Sequence, residues 1–269
     1  MLLYNGQLLL DEDFALTLPN RGLFFNDGFF ETLVWTDGSI RYLPHHLARM
    51  ERAAAALGLT LPPELVTAEG LTHMLGKLAT GSAHRLRLQL WRSGGGLYAP
   101  ETTECSWLAT TRPFQPNDAP LATTGFAETV QTRLSLVSFC KGPESLTYVL
   151  AARERIQRNL DELILLDTAG HVAETVSAAI FWISDNCLFT PALTTGCVAG
   201  VRRAHLLQVA KKHGLECQEG LFQPAALLRA ETVFTANVAG IRVLSGVGEV
   251  RWDTVSPLLF SIRGWEAGQ

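Results

Sequence analysis

The pattern of apolar and polar positions predicts most of the elements in this chain. Residues 2–10 alternate around Asn5-Gly6, a signal for a tight hairpin. Asn20–Gly28 is a loop rich in Asn, Gly and Asp, and its Leu23, Phe24 and Phe25 are expected to hold it down. Phe29–Trp35 is an apolar strand closed by the Asp37-Gly38 turn, and Arg41-Tyr42-Leu43 continues as the next strand. Pro44 opens a helix with Leu47, Met50, Ala54 and Leu57 at helical spacing and Gly58 as its stop. A second helix is expected over Glu64–Leu78. Arg85–Trp91 alternates strictly, so one side of that strand is wet or faces a ligand. A loop follows at Ser93–Gly96, then strands at 105–111 and 125–134.

The texture changes after Pro113–Pro120, where Pro, Asn and Asp mark a linker. Beyond it, Leu146–Arg158 is helical and Leu163–Leu166 is a buried strand ending in an Asp-Thr-Ala-Gly turn. Strands are expected at His171–Glu174, Ala178–Ser184, Glu231–Thr235 and Ile241–Leu244. Val201–His213 is an amphipathic helix stopped by Gly214. The expectation is an α/β protein of two subdomains. The smaller is an α+β unit over 1–115; the larger, over 120–269, is mixed β with helices.

Composition narrows the class. The chain has 269 residues, 47% hydrophobic and 18% charged, which excludes a disordered chain. Its formal charge of −4 argues against nucleic-acid binding as the main task. No apolar run approaches the ~20 residues of a membrane span, and the start lacks the form of a signal peptide. A cytoplasmic protein is therefore expected. Cys105, Cys140, Cys187, Cys197 and Cys217 form no Cys-x-x-Cys pair and read as buried free thiols. The histidines show no metal-ligand spacing, so no metal is expected.

Lysines are few. Lys77, Lys211 and Lys212 read as solvated charges on helices, whereas Lys141 follows the apolar run Leu134–Cys140 and precedes Gly142-Pro143. A lysine at the end of a buried strand is partly desolvated and becomes a nucleophilic amine; the competing reading is a strand-end lysine reaching for water. Glu174 closes an apolar strand, and a half-buried carboxylate needs a partner, either an arginine or a protonated pyridine nitrogen. Thr194–Arg202 runs from a loop into a helix start, which suits a phosphate.

Taken in order, these pieces resemble the class IV, or fold type IV, pyridoxal phosphate (PLP) enzymes. The matching stretches are Asn20-Arg21-Gly22 through Asp27–Leu33, then His46–Met50, Lys141, Asp161–Asp167, Gly170–Glu174, Thr190–Leu193 and Gly196–Arg203. The resemblance implies a D-amino acid aminotransferase-like fold with PLP in a cleft between the subdomains, and a homodimer. It implies that Lys141 forms the aldimine with PLP and later moves protons, and that Arg49 pairs with the phosphate. The N–H groups of Val201 and Arg202 would complete the phosphate cup, and Glu174 would pair with the ring nitrogen. Asn237, also readable as a turn residue, would lie near phosphate and substrate. Ala179 stands where the family often has an asparagine.

The same resemblance implies a small amino substrate and leaves two reactions open. One is the 4-amino-4-deoxychorismate lyase reaction, giving 4-aminobenzoate and pyruvate. The other is transamination of branched-chain or D-amino acids with 2-oxoglutarate. A PLP-fold binding protein without catalysis is a third reading. Phe234–Arg242 looks like the lyase pattern, and Leu146 and Phe30 stand where the aminotransferases tend to carry tyrosines. Arg92–Tyr98 is similar to the lyase's Gly-rich loop but lacks its second arginine, for which Arg92 or Arg242 could substitute. Phe30, Arg92, Tyr98, Val238 and Ala239 are thus the candidate substrate contacts, and lyase ranks ahead of aminotransferase.

Overall fold

The structure is a computed structural model that describes residues 1–79 and 83–267. It divides into two compact units, one of Met1–Gln115 with Cys140–Pro143, the other of Pro116–Phe139 with Glu144 onward.

The first unit is built on a six-stranded sheet. Its elements are β1 (Leu2–Tyr4), β2 (Gln7–Leu9), α1 (Arg21–Phe25), β3 (Gly28–Thr36), β4 (Ser39–Ile40), α2 (Leu43–Leu57), α3 (Ala68–Gly76), β5 (His84–Arg92) and β6 (Cys105–Pro113). The strand order is β2-β1-β6-β5-β3-β4. Asn5 and Gly6 both have positive φ, as the predicted two-residue turn requires. In β3 nearly every residue is buried. Helix α2 packs on this strand, and Gly76 of α3 lets the second helix approach the Trp35 ring closely.

Three local expectations for this unit are corrected. Asn20–Phe25 is not an irregular loop pinned by its aromatics. It is a short helix that Asn20 caps by accepting from the Leu23 N–H, and Leu23 and Phe24 stay more than half exposed. Arg41-Tyr42-Leu43 is not a strand, because Tyr42 turns left-handed (φ 58°) and starts α2 at once. The helix expected over Glu64–Leu78 is divided: Pro63–Leu65 forms one 3-10 turn, and α3 begins anew after Thr67, whose hydroxyl accepts from the Gly70 N–H.

The second unit holds two five-stranded sheets. Its elements are β7 (Thr124–Phe126), α4 (Ser145–Gln157), β8 (Glu162–Leu166), β9 (Val172–Thr175), β10 (Ala179–Ser184), β11 (Cys187–Pro191), α5 (Val201–Lys212), β12 (Cys217–Gly220), α6 (Pro224–Leu228), β13 (Thr232–Asn237), β14 (Gly240–Leu244), β15 (Gly246–Val247), β16 (Val250–Arg251) and α7 (Pro257–Ala267). One sheet runs β12-β11-β10-β13-β14, the other β16-β15-β7-β8-β9. One apolar core, with Phe181, Leu206, Phe234 and Ile262, includes residues of α5 and α7; the other centres on Trp182, Ile164 and Val233. The strand expected over 125–134 ends at Phe126, and Leu134–Cys140 is turns and irregular chain, with Leu134 and Leu136 exposed. Lys141 therefore does not end a strand; it makes a single bridge. Among the described residues no helix is long and apolar enough to cross a membrane.

Gly28 opens β3 under the backbone of β5, where an added Cβ would lie 2.1 Å from the Leu90 carbonyl oxygen. Gly28→Ala must push the two strands apart and is expected to cost about 2–4 kcal/mol. Chemical denaturation reads this as a lowered midpoint at unchanged slope; an unchanged midpoint refutes it.

Candidate active site

In the first unit, Lys141 is fixed through its backbone. Its carbonyl accepts from the Phe30 N–H at 2.8 Å, forming an antiparallel bridge on the edge of β3 not used by β5. Gly142 follows with φ 131°, and a Cβ there would meet the Phe29 Cα at 2.8 Å. Asn26 donates to the Gly142 carbonyl at 2.8 Å. Directly paired residues share a face of a sheet. Phe30 pairs with Lys141 on one side and Gln89 on the other, so these three lie in a row on one face. The Arg87 guanidinium lies over the Phe30 ring, 3.7 Å from its centroid, and donates to Gln89 Oε1 at 3.1 Å. Partial desolvation and then repulsion from Arg85 lower the Arg87 pKa, while the residue stays exposed.

The opposite face of β3 carries a buried charge cluster. Glu31 is fully buried and accepts from Arg49 Nε at 2.7 Å and Nη2 at 2.6 Å. His46 Nδ1 lies 2.6 Å from Glu31 Oε2. Burial pushes the Glu31 pKa up, but the charge of Arg49 and the hydrogen bonds from His46 and Arg49 outweigh it and hold it at about 2. The His46 pKa is lowered, chiefly by burial, with the charges of Arg49 and Lys141 acting in the same sense against Glu31. A neutral imidazole donating to a carboxylate follows. Cys140 is buried nearby, and burial pushes its thiol up to about 11, so it stays protonated.

In the second unit, Glu174 on β9 is 4% exposed. Its Oε1 accepts from the Tyr148 hydroxyl at 2.7 Å and from the Val198 N–H at 3.0 Å. The loop bearing Val198 is pinned along its length. Thr132 donates to the Thr195 carbonyl at 2.7 Å, and Ala199 N–H donates to the Phe139 carbonyl at 2.9 Å. Gly196 (φ 81°) lies against the Arg133 backbone, 2.3 Å from where a Cβ would stand. Helix α5 then begins at Val201, after Gly200, with no side chain capping it. The side chains of its first turn are committed elsewhere, Arg202 to Glu266 at 2.6 Å and Arg203 to Glu219 at 2.6 Å. What this end offers is backbone N–H groups and the positive end of the helix dipole. A carboxylate and an uncapped helix start are thus tied together by one short pinned segment. That donor set fits a ligand with a cationic ring N–H at one end and a phosphate at the other.

Other sequence candidates land differently. Arg92 is 6% exposed, and all five of its N–H donors are used, on Asp27, Leu57, Gly58 and Thr102. Every donor of Arg92 is thus engaged within the first unit in this structure. Arg242 gives its Nε to the Ala119 carbonyl at 2.7 Å. Asn237 is a turn residue: Oδ1 accepts from the N–H groups of Ala239 and Gly240, and Nδ2 donates to the Ser177 carbonyl. Val238 and Ala239 form that turn between β13 and β14. Tyr98 is 91% exposed, and the Gly-rich loop before it is held by Arg21, which donates to the carbonyls of Gly95, Gly96 and Leu97. Leu146 is exposed on α4; Ala179 is buried in β10, paired with Ala236 of β13. Sequence reasoning missed Glu31, Tyr148 and Arg87. A lone acid inside the apolar run Phe29–Trp35 was the available signal for the first.

Fold and donor set together define a PLP-dependent enzyme of fold type IV. A family model described as amino-transferase class IV matches residues 28–245, and the chain belongs to that family. It is 29% identical over 265 residues to the aminodeoxychorismate lyase of Bacillus subtilis (strain 168), covering 95% of this chain and 89% of that protein. It is 28% identical over 259 residues to the D-alanine aminotransferase of Bacillus licheniformis, covering 91% and 88%. The crystal structure of 4-amino-4-deoxychorismate lyase from Pseudomonas aeruginosa superposes with TM-score 0.85 at 26% identity, covering 100% of this chain and 97% of that one.

The buried cluster gives a pH dependence with a definite sign. Below pH 6.5 the unfolded chain protonates His46 while the folded imidazole, its pKa lowered, resists. Stability therefore falls as pH drops from 6.5, and falls further from 4.5 towards 2 as Glu31 is titrated. His46→Gln is expected to reduce the slope of stability against pH between about 6.5 and 5. Urea unfolding at several pH values measures it, and an unchanged slope refutes the assignment.

Proposed function

We propose that this protein is a PLP-dependent lyase that converts 4-amino-4-deoxychorismate to 4-aminobenzoate and pyruvate. The reading is carried by the likeness to the B. subtilis lyase, which runs through 95% of the chain. The site chemistry agrees with an anionic amino substrate. PLP, when bound, supplies an electron sink for the carbon that bears the substrate nitrogen. Lys141 would hold the cofactor through its Nζ and would take and return a proton at that atom. Glu174 would pair with the ring nitrogen, and the N–H groups of Val201 and Arg202 would hold the phosphate. Arg49 adds positive charge to the phosphate end while Glu31 fixes its guanidinium.

The substrate rests against Phe30, with Val238, Ala239 and Tyr98 bordering it. Arg87, rather than Arg92, receives a substrate carboxylate. Its stacking on Phe30 in the row that holds Lys141 supports this. We place the protein in the cytoplasm as a homodimer. Leu18, Leu23, Phe24, Leu97 and Tyr98, each more than half exposed, support the dimer as apolar area that a second copy would cover. The second reading is aminotransfer, favoured by the D-alanine aminotransferase likeness.

A paired assay decides between them. Release of 4-aminobenzoate from aminodeoxychorismate is the expected outcome. Turnover of D- or branched-chain amino acids with 2-oxoglutarate, and none of the chorismate derivative, reverses the order. Lys141→Ala is expected to abolish both turnover and the visible absorption of the PLP-loaded protein. Arg87→Ala is expected to raise KM about tenfold, with a smaller change in kcat, because it removes a charge-assisted bond made in ground and transition state alike. An unchanged KM removes Arg87 from the substrate site.

A further inference from the structure

Helix α4 brings a residue to Glu174 that the proposed chemistry does not use. Along α4, Leu146, Val149 and Leu150 are exposed, whereas Ala151 and Glu154 are buried. Tyr148 lies on the buried side at the i, i+3 spacing of Ala151 and Glu154. Its hydroxyl donates to Glu174 Oε1 at 2.7 Å, where the Val198 N–H also converges. Two donors on one oxygen fix the rotation of a carboxylate and suit its anionic form. Tyr148 also borders a cavity of about 290 Å3 lined with Gln131, Thr132, Arg133 and Glu144. Its ring thus has the carboxylate on one part and polar space on another.

We propose that Tyr148 is a positioning residue that holds the Glu174 carboxylate, anionic and in one orientation, for the pyridine nitrogen of PLP. The proposal rests on the PLP reading above. It assigns α4 a part in the site besides following Lys141 in sequence. The hydroxyl remains a donor across the working pH range, because burial, and then the negative charge of Glu174, push its pKa up.

Tyr148→Phe removes one oxygen and keeps the ring, so the shape of the α4 contact persists. The apo and PLP-loaded forms of the full chain are compared with wild type in three measurements: the dissociation constant for PLP, the pH midpoint of the visible absorption band, and the melting temperature of the apo form. The expected result is a PLP dissociation constant raised roughly threefold to tenfold. The absorption midpoint is expected to move by about half a pH unit or more. A merely structural role lowers the melting temperature and leaves both PLP readouts at wild-type values, which overturns the proposal. If wild-type protein itself binds no PLP, the cofactor reading fails and the proposal with it. If wild type binds and Tyr148→Phe binds equally well with the same midpoint, only the Tyr148 role is lost.

Discussion

A single backbone hydrogen bond, from Phe30 N–H to the Lys141 carbonyl, sets the geometry on which the rest of the first unit's chemistry depends. A lysine side chain is long and mobile, so its reach is controlled by where its Cα is held and which face it leaves from. Pairing with Phe30 answers both, since paired residues share a face and their neighbours face the other way. Phe30, Gln89 and Lys141 therefore take one face, while Glu31 and Cys140, one residue along from the bridge on either side, take the other. Gly142 is needed at the next position because the chain lies too close to Phe29 for any side chain. The nucleophile and the buried charge cluster are thus two sides of the same register.

That register also explains how the arginines sort. A buried guanidinium must find acceptors, and Arg21, Arg49, Arg92, Arg202 and Arg203 each have a carboxylate partner. Arg92 shows the limiting case, with every donor assigned. Arg87 leaves the sheet with Phe30 and Gln89 for company instead. Strict alternation in Arg85–Trp91 announced that one side of this strand would meet water or ligand. It could not say which of the three arginines of β5 would be consumed by the fold. That depends on loop carbonyls at Leu57, Gly58 and Thr102, distant in sequence from Arg92.

The legible parts of the chain were those with local physical causes. The Asn5-Gly6 hairpin, the Gly58 and Gly214 helix stops, and the strands around Leu163–Leu166 and Ala179–Ser184 each rest on a period or a turn residue readable within ten positions. The failures share a cause as well. Leu134–Cys140 is apolar enough to read as a strand, yet its residues are fixed by distant partners, Gly196 against Arg133 and Ala199 on Phe139, and no ladder forms. The aromatics of Asn20–Phe25 suggested burial, but a capped helical turn presents them outward. Strands β11 and β12 pair in parallel across a gap that α5 fills, a non-local arrangement without a short-range signature. Of the site, Lys141 and Glu174 were visible as odd polar residues in apolar stretches. Tyr148 was not, because a tyrosine on a helix is ordinary until its partner is known.

The absent asparagine at position 179 shows how such a site tolerates a departure from the family pattern. An amide there would add a hydrogen-bonding group to β10; alanine adds none and is buried in the sheet against Ala236. Burial without polarity incurs no unmatched donor, so the strand pair is not weakened by the exchange. The polar support is found elsewhere. Asn237 closes its own turn and bonds the Ser177 carbonyl, while Val198 N–H and Tyr148 hold the carboxylate. The loop and α4 each give the Glu174 carboxylate one of these donors. Loop and helix thus converge on one carboxylate oxygen, while position 179 packs within the sheet.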